Sequence, residues 1–330
     1  MTEQHFDVVG VGANSVDYVY CLPEFPRPDG PASKLRISRH AVLCGGQTTT
    51  ALCTCAAMGL RTKYVGAIGN DGNGARMRRE LQRRGVDIEH AYVRDVPNPF
   101  AVILIDGRRG ERVVLWDRDA ALQLRPGEID TAIVAGSRLI HVDDADEDAA
   151  IRAAARGRSA GIPVTSDIER VTERTEELIA AVTIPIFAEH VLEPLTGERD
   201  VERALRAVRR QRVRLTASAK ASAVRRSFTR RRKPDTTYEH DMLCVTLGAR
   251  GAMLLEGDRL HQVPGCQVEV IDTTGAGDVF RGAFITALLR GDSPASILRF
   301  ANAAAAISCT RLGAMDGVPT AEETIALAGQ

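Results

Sequence analysis

The sequence predicts an α/β protein with a mostly parallel central sheet, helices on both faces, and a small second sheet outside it. Three observations carry this. After Pro126 the chain alternates short apolar runs with helix-length segments, a rhythm that builds strand–helix–strand units. Two runs, Phe100 to Gly107 and Glu111 to Trp116, read as a hairpin apart from that rhythm. The string Val270-Ile271-Asp272-Thr273-Thr274-Gly275-Ala276-Gly277-Asp278-Val279-Phe280 closes an apolar, β-branched run and opens a helix through a glycine turn.

Taken in order, Phe6 to Gly12 is a strand ending in Gly10-Val11-Gly12. This is no dinucleotide fingerprint. The third glycine is missing, and Pro23, Pro26, Pro28 and Pro31 stand where a helix would have to run. Val16 to Tyr20 continues as a strand leaving the core, and Ser33 to Val42 reads as its partner. Gly45-Gly46 precedes a helix from about 48 to 58, stopped by Gly59. Lys63 to Ile68 is a strand, and Asp71 and Asn73 are placed to cap a helix over 75–84. The alternating half then runs strand 138–142, helix 147–160, strand 163–168, helix 172–181, strand 184–188 and helix 201–211. The acidic run Asp143 to Asp148 suits a helix start better than a metal cluster. Residues 212–235 are rich in Arg, Ser and Thr without periodicity, and read as a flexible basic insertion. Met242 to Thr246 is a strand, 258–264 completes a hairpin, and 296–310 is a second helix after the glycine-opened one.

Composition narrows the function. Lys+Arg and Asp+Glu are 43 each in 330 residues, so net charge gives no reason to expect nucleic acid or an anionic membrane as partner. No apolar run approaches the roughly 20 residues of a membrane span. Met1 to Asp7 is polar, unlike a secretory leader. Seven cysteines without zinc spacing read as reduced thiols, which points to the cytoplasm. No G-x-x-x-x-G-K-[ST] string is present, which excludes a P-loop kinase by motif. The chemistry gathers at the glycine turn. A helix start offers unpaired amides and the positive dipole end to an anion. Asp278, a carboxylate in the first turn, is ill suited to hold a phosphate. It is well placed to take the proton of a hydroxyl that attacks one, and the helix start is expected to lower its pKa.

Asp272 to Asp278, followed by Phe280 and Gly282, closely resembles the signature of the PfkB, or ribokinase-like, carbohydrate kinases, and the resemblance extends along nearly the whole chain. It implies the ribokinase-like three-layer fold in a single kinase domain, 1–330. Residues 16–42 and 98–118 would form a lid over the sugar and a homodimer surface. It implies that Asp278 is the catalytic base and that the amides of Gly275, Ala276 and Gly277 form an anion hole. Asp17 would bind sugar hydroxyls beside Gly45 and Gly46. Thr50 stands where the family usually has Asn, which bears on which sugar fits. Thr246, Gly248 and Gly251 match the T-x-G-x-x-G nucleotide loop, and Asn302 matches an Asn beside the adenine. Asp272 and Thr274 match a monovalent-cation (K⁺) site. In the N-x-x-E segment linked to Mg²⁺, the Asn and Glu places are Ala188 and Val191, which leaves Glu193 or Glu189 to act through water. The implied activity is ATP-dependent phosphorylation of a hydroxymethyl group on a ribose- or ketohexose-like substrate. A nucleoside kinase of the same fold and a non-catalytic sugar or nucleotide sensor are the alternatives.

Overall fold

Runs such as Phe6–Val11 (β1) and Thr62–Gly69 (β4) carry apolar or small residues at nearly every position, the pattern of strands covered on both faces. The computed structural model describes residues 6–329, apart from 109–110, 131–132, 135 and 227–241 and the side chains of 216–226. In it these runs are neighbours in one sheet. The strand order is β14 (Arg259–Val263), β13 (Ala252–Glu256), β12 (Met242–Thr246), β11 (Ile184–Ala188), β10 (Val164–Ile168), β9 (Ser137–Asp143), β1, β4 and β5 (Val86–Asp87), with β6 (Ala91–Arg94) also on β4. From β12 to β5 every pairing is parallel, while β13 and β14 add an antiparallel edge.

Alternation along the strands splits the core in two. Val9, Val11, Ile140 and Val142 pack with α3 (Glu147–Ala160), α4 (Thr175–Ala181), α5 (Glu189–Thr196) and α6 (Val201–Arg226). On the other face Val8, Leu139 and Ile186 meet α1 (Gln47–Ala57), α2 (Gly72–Arg83), α7 (Ala276–Arg290) and α8 (Pro294–Cys309). A last helix, α9 (Ala321–Ala328), packs on α8. The second sheet is four-stranded, in the order β3 (Arg39–Gly45), β2 (Ser15–Leu22), β7 (Phe100–Asp106) and β8 (Arg112–Asp117). Among the described residues no helix is long and apolar enough to cross a membrane.

The expected caps are present. Asp71 accepts from Gly74 N at 2.8 Å, and Asp146 accepts from Ala149 N at 3.1 Å, so the acidic run serves a helix start. Three expectations need correction. Val270 and Ile271 are exposed and form no strand; Ile271 N instead donates to Cys309 O at 2.8 Å, tying the signature loop to the end of α8. The pairing strand expected over 33–42 begins at Arg39, after a single 3-10 turn at Pro31–Ser33. Helix α6 does not stop at 211 but continues to Arg226, where the sequence reading places a loop. Residues 212–226 include Leu215, Ala217, Ala219, Ala221 and Ala223, good helix formers or neutral ones, so local propensity prevails over the missing amphipathic period. The remainder of the expected insertion, 227–235, lies outside the described residues.

Candidate active site

The chemistry collects at the carboxyl ends of the parallel strands, the usual place for a ligand crevice in such sheets. Gly12 follows β1, Asp143 ends β9, and Asp167 and Glu169 flank the end of β10. A Cβ on Gly12 would sit 2.2 Å from both Asp143 Oδ2 and Thr48 Oγ1, so only glycine leaves room for that contact. Asp143 accepts from Ala13 N at 2.7 Å, Thr48 Oγ1 at 2.6 Å, Thr48 N at 3.2 Å and Ala145 N at 3.0 Å. It therefore fastens the start of α1 to the end of β9.

The glycine turn has the expected form. Gly275 is left-handed (φ 76°), and a Cβ there would lie 2.4 Å from Ala314 Cβ. Asp272 shapes the loop: Thr274 N and Oγ1 donate to one oxygen at 2.9 and 2.7 Å, and Gly313 N to the other at 2.8 Å. Both oxygens of Asp272 are thus engaged by the loop itself. Ala276 N turns back to Thr273 O at a long 3.3 Å.

Asp278 is buried in the first turn of α7. The expectation of a lowered pKa is overturned. Burial and then Glu169 push the Asp278 carboxyl well above the ordinary carboxylate range, against the pull of Arg281. The sequence reading passed over these neighbours. Oxygens of Asp167, Glu169 and Asp278 lie within 4.8 Å of one another. The fully buried Arg281 stands among them, 2.5 Å from Asp167 and 3.8 Å from Glu169. The signal was available, since an arginine sits in the second turn of a mostly apolar helix, between Phe280 and Ala283.

Asp17 is buried on β2, and Ser15 Oγ donates to it at 2.7 Å. A Cβ on Gly45 would fall 2.3 Å from Asp17 Oδ2 and 3.6 Å from Ala314 Cβ. Gly45, which abuts Asp17, and Gly275 thus both approach Ala314. Burial raises the Asp17 pKa to about 6; the Ser15 bond opposes this and the Asp272 charge adds to it. Gly46 (φ 101°) passes so close to Asn14 that a Cβ would be 2.5 Å from its Cα. Asn14 Oδ1 and Thr50 Oγ1 are both buried without a hydrogen-bond partner among the described residues.

The residues expected at the nucleotide also come together. Thr246 ends β12, its hydroxyl 3.4 Å from Phe187 O. Gly248 and Gly251 (φ 57° and 91°) bracket a 3-10 turn, and a Cβ on Gly251 would lie 2.1 Å from Val263 O. Asn302 donates from Nδ2 to Val263 O and Pro264 O, both at 3.1 Å, so its amide braces this loop. Glu193 is exposed and bonded to Arg199 at 3.0 Å, and Glu189 pairs with Arg250. Val191 is buried in the core. This segment does not fit a direct Mg²⁺ ligand set. The small sheet touches the turn: Arg112 of β8 donates to Thr273, and Trp116 lies against Arg170, 5.9 Å from its ring centre. Arg118 is held by Ala145 O at 2.5 Å and Leu122 O at 3.1 Å.

A covered parallel sheet with a buried carboxylate at a glycine-opened helix start is the framework of a phosphoryl-transferring enzyme, and the comparisons name the family. The chain belongs to the pfkB family of carbohydrate kinases, whose model matches residues 7–321; these are phosphotransferases with an alcohol group as acceptor. It is similar to a ribokinase of Haemophilus influenzae, 25% identical over 318 residues and covering 96% of each protein. It is also similar to a nucleoside kinase of Methanothermobacter thermautotrophicus, 25% identical over 97% of this chain and 94% of that one. Among solved structures, one from Agrobacterium tumefaciens with a provisional ribokinase description superposes at TM-score 0.82, with 27% identity over 99% and 98% of the two chains. An Arabidopsis thaliana ribokinase, solved with ribose and ATP, gives 0.77 at 23% identity over 99% and 100%.

Proposed function

We propose that this protein transfers the terminal phosphoryl group of ATP to a hydroxymethyl group of a ribose- or ketohexose-like sugar or sugar derivative. The observation that carries this reading is the approach to Ala314 of both Gly45, beside the buried carboxylate of Asp17, and the Gly275 turn that opens the helix carrying the buried Asp278. Asp17 accepts from two sugar hydroxyls, with Gly45 and Gly46 allowing close approach, and Thr50 and Asn14 offering the unpaired polar atoms. Asp278 takes the proton of the attacking hydroxyl. Its raised pKa makes it a stronger base than an ordinary carboxylate. The backbone of Gly275, Ala276 and Gly277 and the start of α7 face the charge that develops on the phosphoryl group. The nucleotide lies along Thr246, Gly248 and Gly251. Mg²⁺, when bound with the nucleotide, neutralises phosphate charge and is held chiefly by phosphates and water.

A nucleoside substrate is the second reading, supported by the relative of that name. A non-catalytic sensor is disfavoured, because a sensor has no use for a buried carboxylate at an anion site. The small sheet acts as the lid, with the Arg112–Thr273 contact joining it to the transfer loop. Its outer strand leaves Val113, Leu115 and Trp116 exposed, a surface that suits a second copy of the chain.

The test is ADP release over aldoses, ketohexoses, sugar acids, sugar phosphates and nucleosides, with wild type and Asp278→Asn. The variant is expected to bind ATP normally and lose at least about a hundredfold in turnover. Turnover within a few-fold of wild type would remove Asp278 from the mechanism.

A further inference from the structure

A fully buried arginine must be explained by what it compensates. Arg281 follows Asp278 by three residues on α7, so the two share a helix face. Its guanidinium lies under the turn: a Cβ on Gly277 would be 2.5 Å from Arg281 Nη1 and 3.6 Å from Glu169 Oε1. The ion pair to Asp167 is close, at 2.5 Å, yet neither the three guanidinium nitrogens nor the Asp167 oxygens make a directed hydrogen bond. The contact is one of charge more than of bond geometry.

We propose that Arg281 is a positioning residue of the transfer site, an internal counter-cation that keeps the Asp278 carboxylate charged and places positive potential behind the Gly275–Gly277 backbone. The inference rests on the assignment of Asp278 as the base. Asp167, Glu169 and Asp278 crowd their oxygens within 4.8 Å, a spacing at which like charges suppress one another's ionisation. Arg281 is the cation among them. The other groups facing it do not supply one. From β9, burial and then Arg281 itself push the His141 pKa down to about 3, so its ring is neutral. Asp143 and Asp144, at and after the end of β9, add negative charge. From β12, burial pushes the Cys244 thiol up to about 12, and from α1 the Cys55 thiol meets Gly282 O at 3.3 Å.

Three variants test this through the pH dependence of kcat. Activity needs Asp278 ionised, so kcat falls as pH drops through its pKa. Arg281→Gln is expected to move that acid limb to higher pH by about one unit or more, the usual effect of losing an adjacent opposite charge. Glu169→Gln, altering a side chain 41% exposed and tolerant of change, is expected to move it the other way, because a repelling charge is removed. Arg281→Lys keeps the charge and should leave the limb in place. KM for sugar and nucleotide should change little in all three. A purely structural role lowers the yield or stability of folded protein and moves neither limb. Should Arg281→Gln not fold, the Glu169→Gln and Arg281→Lys profiles decide: an unmoved limb in the former, or a raised one in the latter, overturns the inference. If Asp278→Asn is inactive while these limbs fail to move as stated, the counter-cation is wrong and the base assignment stands. If Asp278→Asn is active, the base assignment itself fails.

Discussion

Asp17→Asn is expected to stabilise the unliganded protein while weakening its grip on sugar. Asp17 is buried with one side-chain partner, Ser15, and its pKa is raised to about 6 from the ordinary 3.8. A carboxyl group with a raised folded-state pKa favours folding when protonated, so stability declines as pH rises between the two values. That interval is worth about 3 kcal/mol at neutral pH, as an upper bound. Asparagine keeps an acceptor for Ser15 and avoids the buried charge. Its advantage should be present at pH 7.5, be much smaller at pH 4.5, and vanish only below about pH 3, where wild-type Asp17 is protonated in both states. The assay is thermal unfolding of both proteins without ligand at pH 7.5 and 4.5, beside sugar KM at pH 7.5. For a chain of this size about 1–3 kcal/mol is a gain of a few degrees in Tm. An unchanged or lower Tm at pH 7.5, or an equal gain at both pH values, would refute the reasoning. So would an unchanged sugar KM, because the cost of ionising Asp17 would then have no ligand to justify it. In the wild type, sugar KM should rise as pH falls through about 6.

Further outcomes follow from single contacts. Gly275→Ala forces a Cβ to within 2.4 Å of Ala314 in a left-handed residue, so it should cost about 1–3 kcal/mol in stability and most of the activity; a normal kcat by ADP release would mean that the turn can reshape. Thr50→Asn should reorder kcat/KM among sugars more than it lowers the best value; equal scaling for all sugars would make Thr50 scaffold. Leu115→Glu with Trp116→Glu should halve the mass measured by light scattering, if the outer face of β8 joins two copies; an unchanged mass places any dimer elsewhere.

Much of the site was legible because its constraints are local. A glycine turn, a left-handed Gly275 and a first-turn Asp278 lie within four residues, where backbone sterics and the helix start act between sequence neighbours. The caps at Asp71 and Asp146 and the parallel rhythm after Pro126 are local in the same sense. Contacts between distant segments were decided by the fold alone. The sequence places Asp167 and Glu169 at the end of one strand and Arg281 in a distant helix, and only the β10–α7 packing puts one cation among three carboxylates. That packing also reverses the expected shift at Asp278, since helix-start fields can be read from order along the chain but desolvation and neighbouring charge depend on what folds over it. Glu193 shows the converse: its neighbourhood in sequence fitted a metal, but its side chain turned to Arg199. The length of α6 differs in kind. From Arg209 to Leu215 no residue is fully buried, so neither periodicity nor core packing marked a stop there, and backbone propensity carried the helix on to Arg226.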